Sequence, residues 1–361
     1  MHLIPLLLLS LLPSPTPRAQ DAGPTWHDAA SLTLEGQAWT DTKAPFDRLP
    51  AKAETLVRPP VWNLSRHSAG VALRFATNAP EIHARWSLTQ SDLAMPHMSA
   101  TGVSGLDLYV RHDNQWRWLG LGKPTAQDNN TARLAKGLTE EWREYMLYLP
   151  LYNGTSSLEV GIPSGSEIKP GAARPEAHSK PIVVYGTSIT QGACASRPGM
   201  THLAILGRRL DREVINLGFS GNGTLDLPMG DLLAEIDAAV YILDCLPNMR
   251  AGQVTERAVP FTKSLRKARP STPILMVEDR SYGTAFLEAG LRLRNEGSRV
   301  ALKAAFDALS ADGVSGLHYL PGDNLVGTDG EGLVDGSHPN DLGFTRQATI
   351  FAKVLSNIFG E

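Results

Sequence analysis

The sequence is short of cysteine, of net charge and of long hydrophobic runs. It has two cysteines among 361 residues, Cys194 and Cys245, which excludes a disulfide-rich scaffold and a zinc site built from cysteines. The formal net charge of −3 argues against nucleic acid as the main partner and against a polybasic membrane-binding patch. No set of histidines and carboxylates has metal-ligand spacing, and the carboxyl-terminal half has no GxGxxG or Walker A motif. We therefore expect no metal and no cofactor.

The one strongly apolar run lies at the amino terminus. Residues 3–12 read LIPLLLLSLL, and small residues follow at Ala19 and Ala22. This length suits the apolar core of a signal peptide and is too short to span a bilayer. We predict a signal peptide over residues 1–22, whose removal leaves a periplasmic or secreted protein without a membrane anchor. The alternative is an apolar anchor that stays attached.

The next part of the chain is rich in turns. The protein has 33 glycines and 25 prolines, yet 42% of its residues are hydrophobic, which indicates a folded chain and not a disordered one. Between residues 23 and 163, short segments such as VALRFAT and IHARWSL alternate apolar and polar residues between turn signals. This pattern predicts an all-β domain, a jelly-roll-like sandwich, over residues 23–163. We expect its tryptophans mainly in the core, with a sugar-stacking surface as the alternative.

The pattern changes after residue 180. Residues 164–180 are rich in Pro, Gly and Ala without periodicity, and we predict that they link two domains. Over residues 181–361, apolar strands alternate with helical patterns; the predicted strands are 182–185, 213–217, 239–244, 274–278 and 316–320. This alternation predicts an α/β domain with a flavodoxin-like, doubly wound parallel sheet of five strands in the order 2-1-3-4-5.

The stretch PIVVYGTSITQG, residues 181–192, places a serine where such sheets bind ligands. The apolar run 182–185 predicts a strand that is buried on both faces. Ser188 follows this strand after two small residues, at the carboxyl end, where open α/β sheets carry their sites. On this stretch alone, Ser188 is equally well explained as the cap of the next helix.

A serine nucleophile needs a base, an acid that orients the base, and donors for the oxyanion. Asp335 and His338 lie three residues apart in VDGSHPND, so one turn can present both side chains to the same point. Two other predicted strands run into NLGFSGNG and LPNM, where Gly221 can offer its main-chain N–H and Asn248 its side-chain amide. Each feature alone is ordinary turn chemistry. Together they follow different strands that end at one sheet edge, which predicts a shared site.

These blocks resemble those of a known family. GTSITQG, NLGFSGNG, LPNM and DGSHP are similar to the four blocks of the SGNH hydrolases, also called GDSL-type esterases. The first block reads GTSI instead of GDSL, and the third reads Pro-Asn-Met where many members have Gly-Asn-Asp. GLDLY, residues 105–109, with MPHMSATG before it, resembles the amino-terminal β-domain (GxDLY) of one subgroup. The resemblance therefore covers nearly all of the chain after residue 22.

The resemblance implies a role for the residues of each block. Ser188 is the expected nucleophile, His338 the general base and then acid, and Asp335 the partner of His338. The main-chain N–H groups of Ser188 and Gly221, with Asn248 Nδ2, are the expected oxyanion hole.

Other polar residues lie near the predicted site in sequence. Asp244 precedes the third block, and we expect it to be structural because Asp335 is nearer to His338. We also expect that His97, Asp279 and Arg280 contribute to substrate binding, with a solvated turn as the alternative for the last two.

The two cysteines follow adjacent predicted strands. The loops that hold Cys194 and Cys245 should meet at one sheet edge, and an exported protein encounters an oxidising compartment. We therefore predict a disulfide between them that braces the site. The alternative is two buried free thiols that behave as small hydrophobic groups.

The sequence thus predicts a secreted serine esterase that removes short acyl groups, most simply O-acetyl, from a carbohydrate through an acyl-enzyme. The carbohydrate follows from the family and from the attached β-domain, and no long apolar lid suggests a lipase. One alternative is a short-chain esterase or acyltransferase that acts on a substrate other than a carbohydrate. Another is a carbohydrate-binding protein with a vestigial hydrolase domain.

Overall fold

The computed structural model describes residues 23–360; the predicted signal peptide lies outside the described residues. In this range the strands are β1 (Thr25–Asp28), β2 (Thr33–Glu35), β3 (Ala72–Thr77), β4 (Glu81–Leu88), β5 (Leu106–His112), β6 (Gln115–Gly122), β7 (Asn130–Lys136), β8 (Arg143–Tyr148), β9 (Thr155–Ile162), β10 (Ile168–Pro170), β11 (Ile182–Gly186), β12 (Val214–Gly218), β13 (Val240–Asp244), β14 (Ile274–Val277) and β15 (Leu317–Leu320).

The α-helices of the described range are distributed unevenly, with three short ones before residue 110 and the long ones after residue 200. They are α1 (Ala53–Leu56), α2 (Pro59–Ser65), α3 (Ala100–Val103), α4 (Ser188–Gln191), α5 (His202–Arg209), α6 (Leu227–Glu235), α7 (Ala251–Ala268), α8 (Ala289–Ala311) and α9 (Asp341–Phe359). None of these helices is long and apolar enough to cross a membrane.

Strands β1–β10 form two sheets that pack face to face. One sheet has the order β1-β9-β4-β7, and the other has the order β10-β3-β8-β5-β6, with β2 also paired to β3. Their pairings are antiparallel. Side chains from both sheets, among them Phe75, Trp86 and Tyr145, are buried between them in one hydrophobic cluster. The predicted β-sandwich is confirmed.

Strands β11–β15 form one parallel sheet with the order β12-β11-β13-β14-β15. This is the predicted order 2-1-3-4-5. The register places Gly186, Gly218 and Asp244 side by side at the carboxyl ends of three neighbouring strands. Side chains of α5 and α9 pack on one face of the sheet, and those of α6, α7 and α8 pack on the other. The doubly wound architecture is therefore confirmed.

The segment predicted as a linker, residues 164–180, also contributes to both domains. Its strand β10 pairs with β3, with Ile168 opposite Thr77. Arg174 then donates to Glu35 Oε2 at 2.7 Å and to Asp211 Oδ1 at 3.0 Å. Three residues are too few to show alternation, so the sequence pattern could not reveal this strand.

Residues 37–66, predicted as part of the β-sandwich, pack instead on the parallel sheet. Leu49, Val61 and Trp62 belong to the same buried cluster as Leu217 and the helices of that face. The chain thus leaves the sandwich after β2, covers one end of the parallel sheet through α1 and α2, and returns at β3. The two predicted domains share a hydrophobic core.

The GLDLY stretch in β5 joins the sandwich to the loop that follows α4. The fully buried Asp107 accepts hydrogen bonds from Arg197 Nη1 at 2.7 Å and from Gly199 N at 2.8 Å. The hydroxyl of Tyr109 lies 2.6 Å from the same Arg197 nitrogen. A charged hydrogen bond in a buried site is strong and directional, so this contact fixes the loop after α4 relative to the sandwich.

Candidate active site

Ser188 is the first residue of α4, directly after the central strand β11. The cap of this helix is Thr187, whose hydroxyl accepts a hydrogen bond from Ile189 N at 3.3 Å. Ser188 is therefore not the helix cap, and its hydroxyl is available to other partners. Gly186 permits the sharp turn, because a Cβ there would lie only 2.0 Å from Thr190 Oγ1.

The three predicted catalytic side chains form one continuous chain of hydrogen bonds. Ser188 Oγ lies 2.9 Å from His338 Nε2, and His338 Nδ1 lies 2.7 Å from Asp335 Oδ2. When Ser188 donates to Nε2, His338 carries its proton on Nδ1 and donates it to the carboxylate. This is the tautomer that a serine hydrolase requires of its base. The serine is buried, whereas the histidine and aspartate are partly exposed at the surface.

Asp335 is held in its ionised form by its own loop. Burial raises its pKa, but hydrogen bonds from the main chain and ring of His338 and from Ser337 N outweigh burial and lower the pKa below its ordinary value. The main-chain bonds measure 2.8 Å from His338 N and 3.1 Å from Ser337 N, both to Oδ1. The other oxygen, Oδ2, is thus left for the imidazole.

The loop that carries Asp335 and His338 lies between β15 and α9. Val334 N donates to His338 O at 2.9 Å, and Gly283 N of a neighbouring loop donates to Gly336 O at 2.8 Å. Asn340 caps α9 by accepting from Gly343 N at 3.1 Å. These main-chain contacts define the loop's shape independently of the catalytic side chains.

The predicted oxyanion donors lie in the loops that follow β11, β12 and β13. Within the described residues, no protein group accepts from the main-chain N–H of Ser188 or Gly221, or from the side-chain amide of Asn248. Gly221 has φ +69°, in the left-handed region that favours glycine. The carbonyl of Asn248 accepts from Gly223 N at 3.3 Å, which links the second and third loops and leaves Nδ2 free.

Sequence reasoning missed a set of residues that connects the β-sandwich to this site. Tyr152 donates from its hydroxyl to Ser188 O at 3.3 Å. Gln191 Nε2 lies 3.1 Å from Leu151 O and 3.0 Å from His67 Nδ1, and Gln191 Oε1 accepts from Ser220 N at 3.0 Å. Gln191 stands inside the GTSITQG block, which was its only sequence signal.

His67 serves this network as a neutral acceptor. Burial, and to a lesser degree the nearby Arg48 charge, lowers its pKa to about 4. Its Nδ1 therefore accepts from the Gln191 amide at neutral pH. The sequence around His67 gave no indication of this role, because its partners are distant in the chain.

His97 reaches the mouth of the site from the β-domain. Its ring centroid lies 6.0 Å from that of His338, with the planes tilted by 48°. It is exposed, in a tight turn closed by two main-chain hydrogen bonds between Met95 and Met98. The position agrees with a substrate-contacting residue, and that role stays a prediction.

The prediction that Arg280 binds substrate is wrong. Arg280 is buried and makes two hydrogen bonds to the Asp244 carboxylate, one of them 2.7 Å long between Nη2 and Oδ2. Its Nε donates to Gln347 Oε1 at 3.0 Å. Thr190 of α4 also contacts Asp244, at 3.3 Å. The pair is a buried support beneath α4, which confirms the expectation that Asp244 is structural.

Asp279 does not face the site either. It is buried and accepts from Asn295 Nδ2 of α8 at 3.0 Å. Burial raises its pKa to about 6 in spite of nearby arginines. The turn after β14 folds back under α8, so the predicted substrate-binding role of Asp279 is wrong as well.

The predicted disulfide is also wrong, because both cysteines are free and buried. Cys194 packs with Met98 and Leu151 between the sandwich and the parallel sheet. Cys245 packs in the core shared with α6 and α7, and its Sγ lies 3.6 Å from Tyr185 O. The two loops start at one sheet edge but turn toward different hydrophobic clusters.

This arrangement has the parts that acyl transfer requires. It contains a nucleophile whose proton can pass to a base, an ionised partner for that base, and free N–H donors at the same sheet edge. No group of three or more His, Cys, Asp or Glu side chains in residues 23–360 is placed to hold a metal ion.

Both halves of the chain match known protein families. Residues 179–356 match the GDSL-like Lipase/Acylhydrolase family, and residues 24–168 match the family described as the N-terminus of Esterase_SGNH_hydro-type. No curated protein matches the sequence.

Solved structures cover almost the whole chain. A GDSL-like lipase from Bacteroides ovatus is 37% identical with a TM-score of 0.88, over 93% of this chain and 98% of that one. A salicylyl-acyltransferase from a tetracycline biosynthetic pathway is 19% identical, TM-score 0.75, over 94% and 98%. A family two carbohydrate esterase from Clostridium thermocellum, in complex with cellohexaose, is 15% identical, TM-score 0.57, over 81% and 93%. The last two show likeness of fold alone.

Proposed function

Because this chain belongs to the GDSL-like lipase/acylhydrolase family, we propose that it is a serine esterase that removes short acyl groups, O-acetyl above all, from a carbohydrate. The observation that carries the proposal is the hydrogen-bond chain from Ser188 Oγ through His338 to Asp335. An inactive, purely sugar-binding protein would have no need to keep this chain intact.

The mechanism follows from the geometry of that chain. Ser188 Oγ attacks the acyl carbonyl while its proton passes to His338 Nε2, and Asp335 stabilises the imidazolium that forms. The negative charge on the carbonyl oxygen meets the N–H groups of Ser188 and Gly221 and the Asn248 amide. His338 then gives that proton to the departing sugar oxygen as the ester C–O bond breaks, and the sugar leaves as an alcohol. In the second half, water attacks the acyl carbonyl while its proton passes to His338 Nε2, and His338 returns the proton to Ser188 Oγ as the acid is released.

Support for a carbohydrate comes from outside the catalytic chain. The fold resembles that of a family two carbohydrate esterase solved with cellohexaose, and the base and its partner are partly exposed, which suits a bulky polar substrate. The tryptophans are not all in the core. Trp86 is buried in the sandwich, whereas Trp118 and Trp142 are 51% and 44% exposed. Trp118 donates to Asp107, and Lys169 lies over the ring of Trp142.

The same proposal places the enzyme outside the cytoplasm. Acylated polysaccharides are extracellular substrates, and the apolar run at residues 3–12 is suited to export. Fractionation of cells that produce the full chain, with sequencing of the mature amino terminus, tests this point. A protein retained in the cytoplasm with residues 1–22 intact would contradict it.

Hydrolysis of p-nitrophenyl acetate by the wild type and by Ser188→Ala tests the esterase. We expect kcat to fall on the order of 10⁵-fold or more, because the nucleophile is lost. Ser310→Ala is the matched control, since Ser310 is an exposed helix residue whose hydroxyl, among residues 23–360, bonds only to Phe306 O. Equal rates for wild type and Ser188→Ala would reject the serine esterase.

The substrate class is tested with acetate release from a panel of acetylated polysaccharides, beside acylated alcohols without sugar. A strong preference for one polysaccharide supports the proposal. Equal turnover of the simple esters would point to a non-carbohydrate substrate. Addition of an acceptor alcohol separates hydrolysis from transfer, because an acyltransferase would form the new ester in preference to free acid.

A further inference from the structure

A single arginine from the amino-terminal part is completely buried against the parallel sheet. Arg48 is 0% exposed, and its acceptors are four main-chain carbonyl oxygens. Two of them, Leu64 O at 2.6 Å and His67 O at 2.8 Å, belong to its own segment. The other two, Asn216 O at 3.1 Å and Gly218 O at 2.7 Å, belong to β12, and both accept from Nη1.

Burial of this charge opposes folding, and only the interactions that the guanidinium makes can offset the cost. A buried guanidinium loses its hydration, and here neutral carbonyl dipoles replace the water, while the adjacent Asp47 is engaged with Arg66 at 3.1 Å. Burial lowers the pKa of Arg48 to about 9, so the side chain stays charged at neutral pH. The main-chain groups that Arg48 holds in place are therefore of interest.

Arg48 lies against β12, whose position in the sheet explains these contacts. Within the part of the chain that the structure describes, β12 is an edge strand that pairs only with β11. Asn216 and Gly218 are two residues apart, so their carbonyls point to the same side, which is the free edge. An unpaired edge that is buried leaves main-chain groups unsatisfied. Arg48 fills this edge in place of a sixth strand.

The capped edge leads directly into the predicted oxyanion loop. Gly218 is the last residue of β12, Phe219 follows with its ring 5.0 Å from the Arg48 guanidinium, and Gly221 comes two residues later. Asn216 uses its own side chain to bond Thr190 O at 2.8 Å, within α4. The end of β12 that Arg48 contacts is thus hydrogen-bonded to α4, the helix that carries Ser188, and continues directly into the loop that carries Gly221.

We propose that Arg48 is a positioning residue for catalysis, which holds the end of β12 so that the loop 219–223 presents the Gly221 N–H to the reacting acyl group. The inference rests on the proposed esterase function and deepens it. It assigns the amino-terminal segment a part in transition-state stabilisation, through Arg48, without contact between Arg48 and the substrate.

The effect on catalysis should differ from that of a purely structural arginine. Loss of one oxyanion donor lowers kcat by about 100- to 1,000-fold. When the donor is kept but is held less firmly, the decrease in kcat should be smaller. For Arg48→Met we expect kcat for p-nitrophenyl acetate to fall about 10- to 100-fold with little change in KM. Arg48→Lys keeps the charge but cannot reach four carbonyls at once, so its kcat should lie between those of Arg48→Met and the wild type.

Hydrogen exchange gives a readout that does not depend on activity. In Arg48→Met, and less so in Arg48→Lys, the peptide spanning residues 217–224 should exchange faster than in the wild type. Arg66→Met is the matched control, because Arg66 lies in the same segment and pairs with Asp47 without touching β12. In that control both kcat and exchange of the 217–224 peptide should stay near wild-type values.

The outcomes separate this inference from the proposed function. A folded Arg48→Lys or Arg48→Met protein with wild-type kcat and wild-type exchange at 217–224 would overturn the positioning role. If the 217–224 peptide exchanges faster in Arg48→Met than in the wild type, but the wild type hydrolyses none of the esters tested, the esterase is rejected and Arg48 is retained as the anchor of the loop. If Arg48→Met does not fold, the lysine variant decides.

Discussion

At the scale of single residues, the site depends on which of two neighbouring hydroxyls caps α4 and which one bonds to His338. Thr187 and Ser188 are adjacent, and either is a good helix cap. The structure gives the cap to Thr187, with φ −105° and ψ −159°, and this leaves Ser188 Oγ for His338. A change of one residue in register would reverse these tasks and bury the nucleophile in a structural hydrogen bond.

A second residue of interest, Glu213, lies at the contact between the two halves. Its Oε1 accepts from Gly36 N at 2.7 Å. Burial, together with the nearby charge of Glu35, raises its pKa to about 7. A carboxyl whose pKa is raised on folding stabilises the folded state below its unfolded pKa, near 4.5, and this stabilisation is lost as pH rises through about 7.

We therefore expect Glu213→Gln to be more stable than the wild type above pH 7 and equal to it near pH 4. Glutamine keeps the bond from Gly36 and carries no charge to desolvate. The difference in free energy of unfolding should be about 1–3 kcal/mol at pH 8, as measured by urea denaturation at several pH values. The control is the exposed Glu140→Gln. A pH-independent difference between wild type and Glu213→Gln would show that Glu213 does not titrate in this range.

At the scale of secondary-structure elements, the loop after β12 tests the oxyanion geometry. A Cβ on Gly223 would lie 2.0 Å from the main-chain oxygen of Gly186, so alanine there must displace the loop. A Cβ on Gly221 would meet nothing within 4 Å, and its only penalty is the positive φ, about 1–2 kcal/mol.

We expect Gly223→Ala to lower kcat by about 100-fold or more, and Gly221→Ala to retain kcat within about tenfold because its N–H is kept. Gly165→Ala, at φ +90° and far along the chain in an open turn, controls for strain alone. Steady-state kinetics and thermal melts of the three variants provide the measurements. Equal losses of kcat in Gly223→Ala and Gly221→Ala would mean that contact with Gly186 does not set the loop.

The elements were predictable to different degrees from the sequence, for physical reasons. The five parallel strands are mostly apolar, with Asn216 in β12 and His318 in β15 as interruptions, and their observed bounds lie within one residue of prediction. The sequence shows a clear helical pattern after β14 only over residues 299–309, whereas helix α8 begins ten residues earlier, at Ala289, because LRLRNEGSR shows no buried stripe and Leu293 is exposed. The blocks around Ser188 and His338 are local patterns. Tyr152, Gln191 and Arg48 act through partners distant in the chain, and such pairings leave no local pattern to read.

At the scale of the whole molecule, the two halves share a hydrophobic core. Residues 37–66 complete the core of the parallel sheet, and Asp107 fixes the loop after α4. Tyr152 and Gln191 carry hydrogen bonds from the sandwich to the main chain of Ser188 and Ser220. A detachable sugar-binding module would share little core with its catalytic domain.

This integration predicts that residues 181–361 alone neither fold stably nor hydrolyse p-nitrophenyl acetate, since the face covered by Val61 and Trp62 would be open to water. Co-production with residues 23–180 should restore a soluble, active pair. Val61→Asp in the smaller fragment should abolish this rescue, because it buries an unpaired charge at a fully buried position. Leu56→Asp, at an exposed position in α1, should leave it intact. Full activity from residues 181–361 alone would mean that the amino-terminal part is an accessory domain, and that neither Arg48 nor Tyr152 is needed at the site.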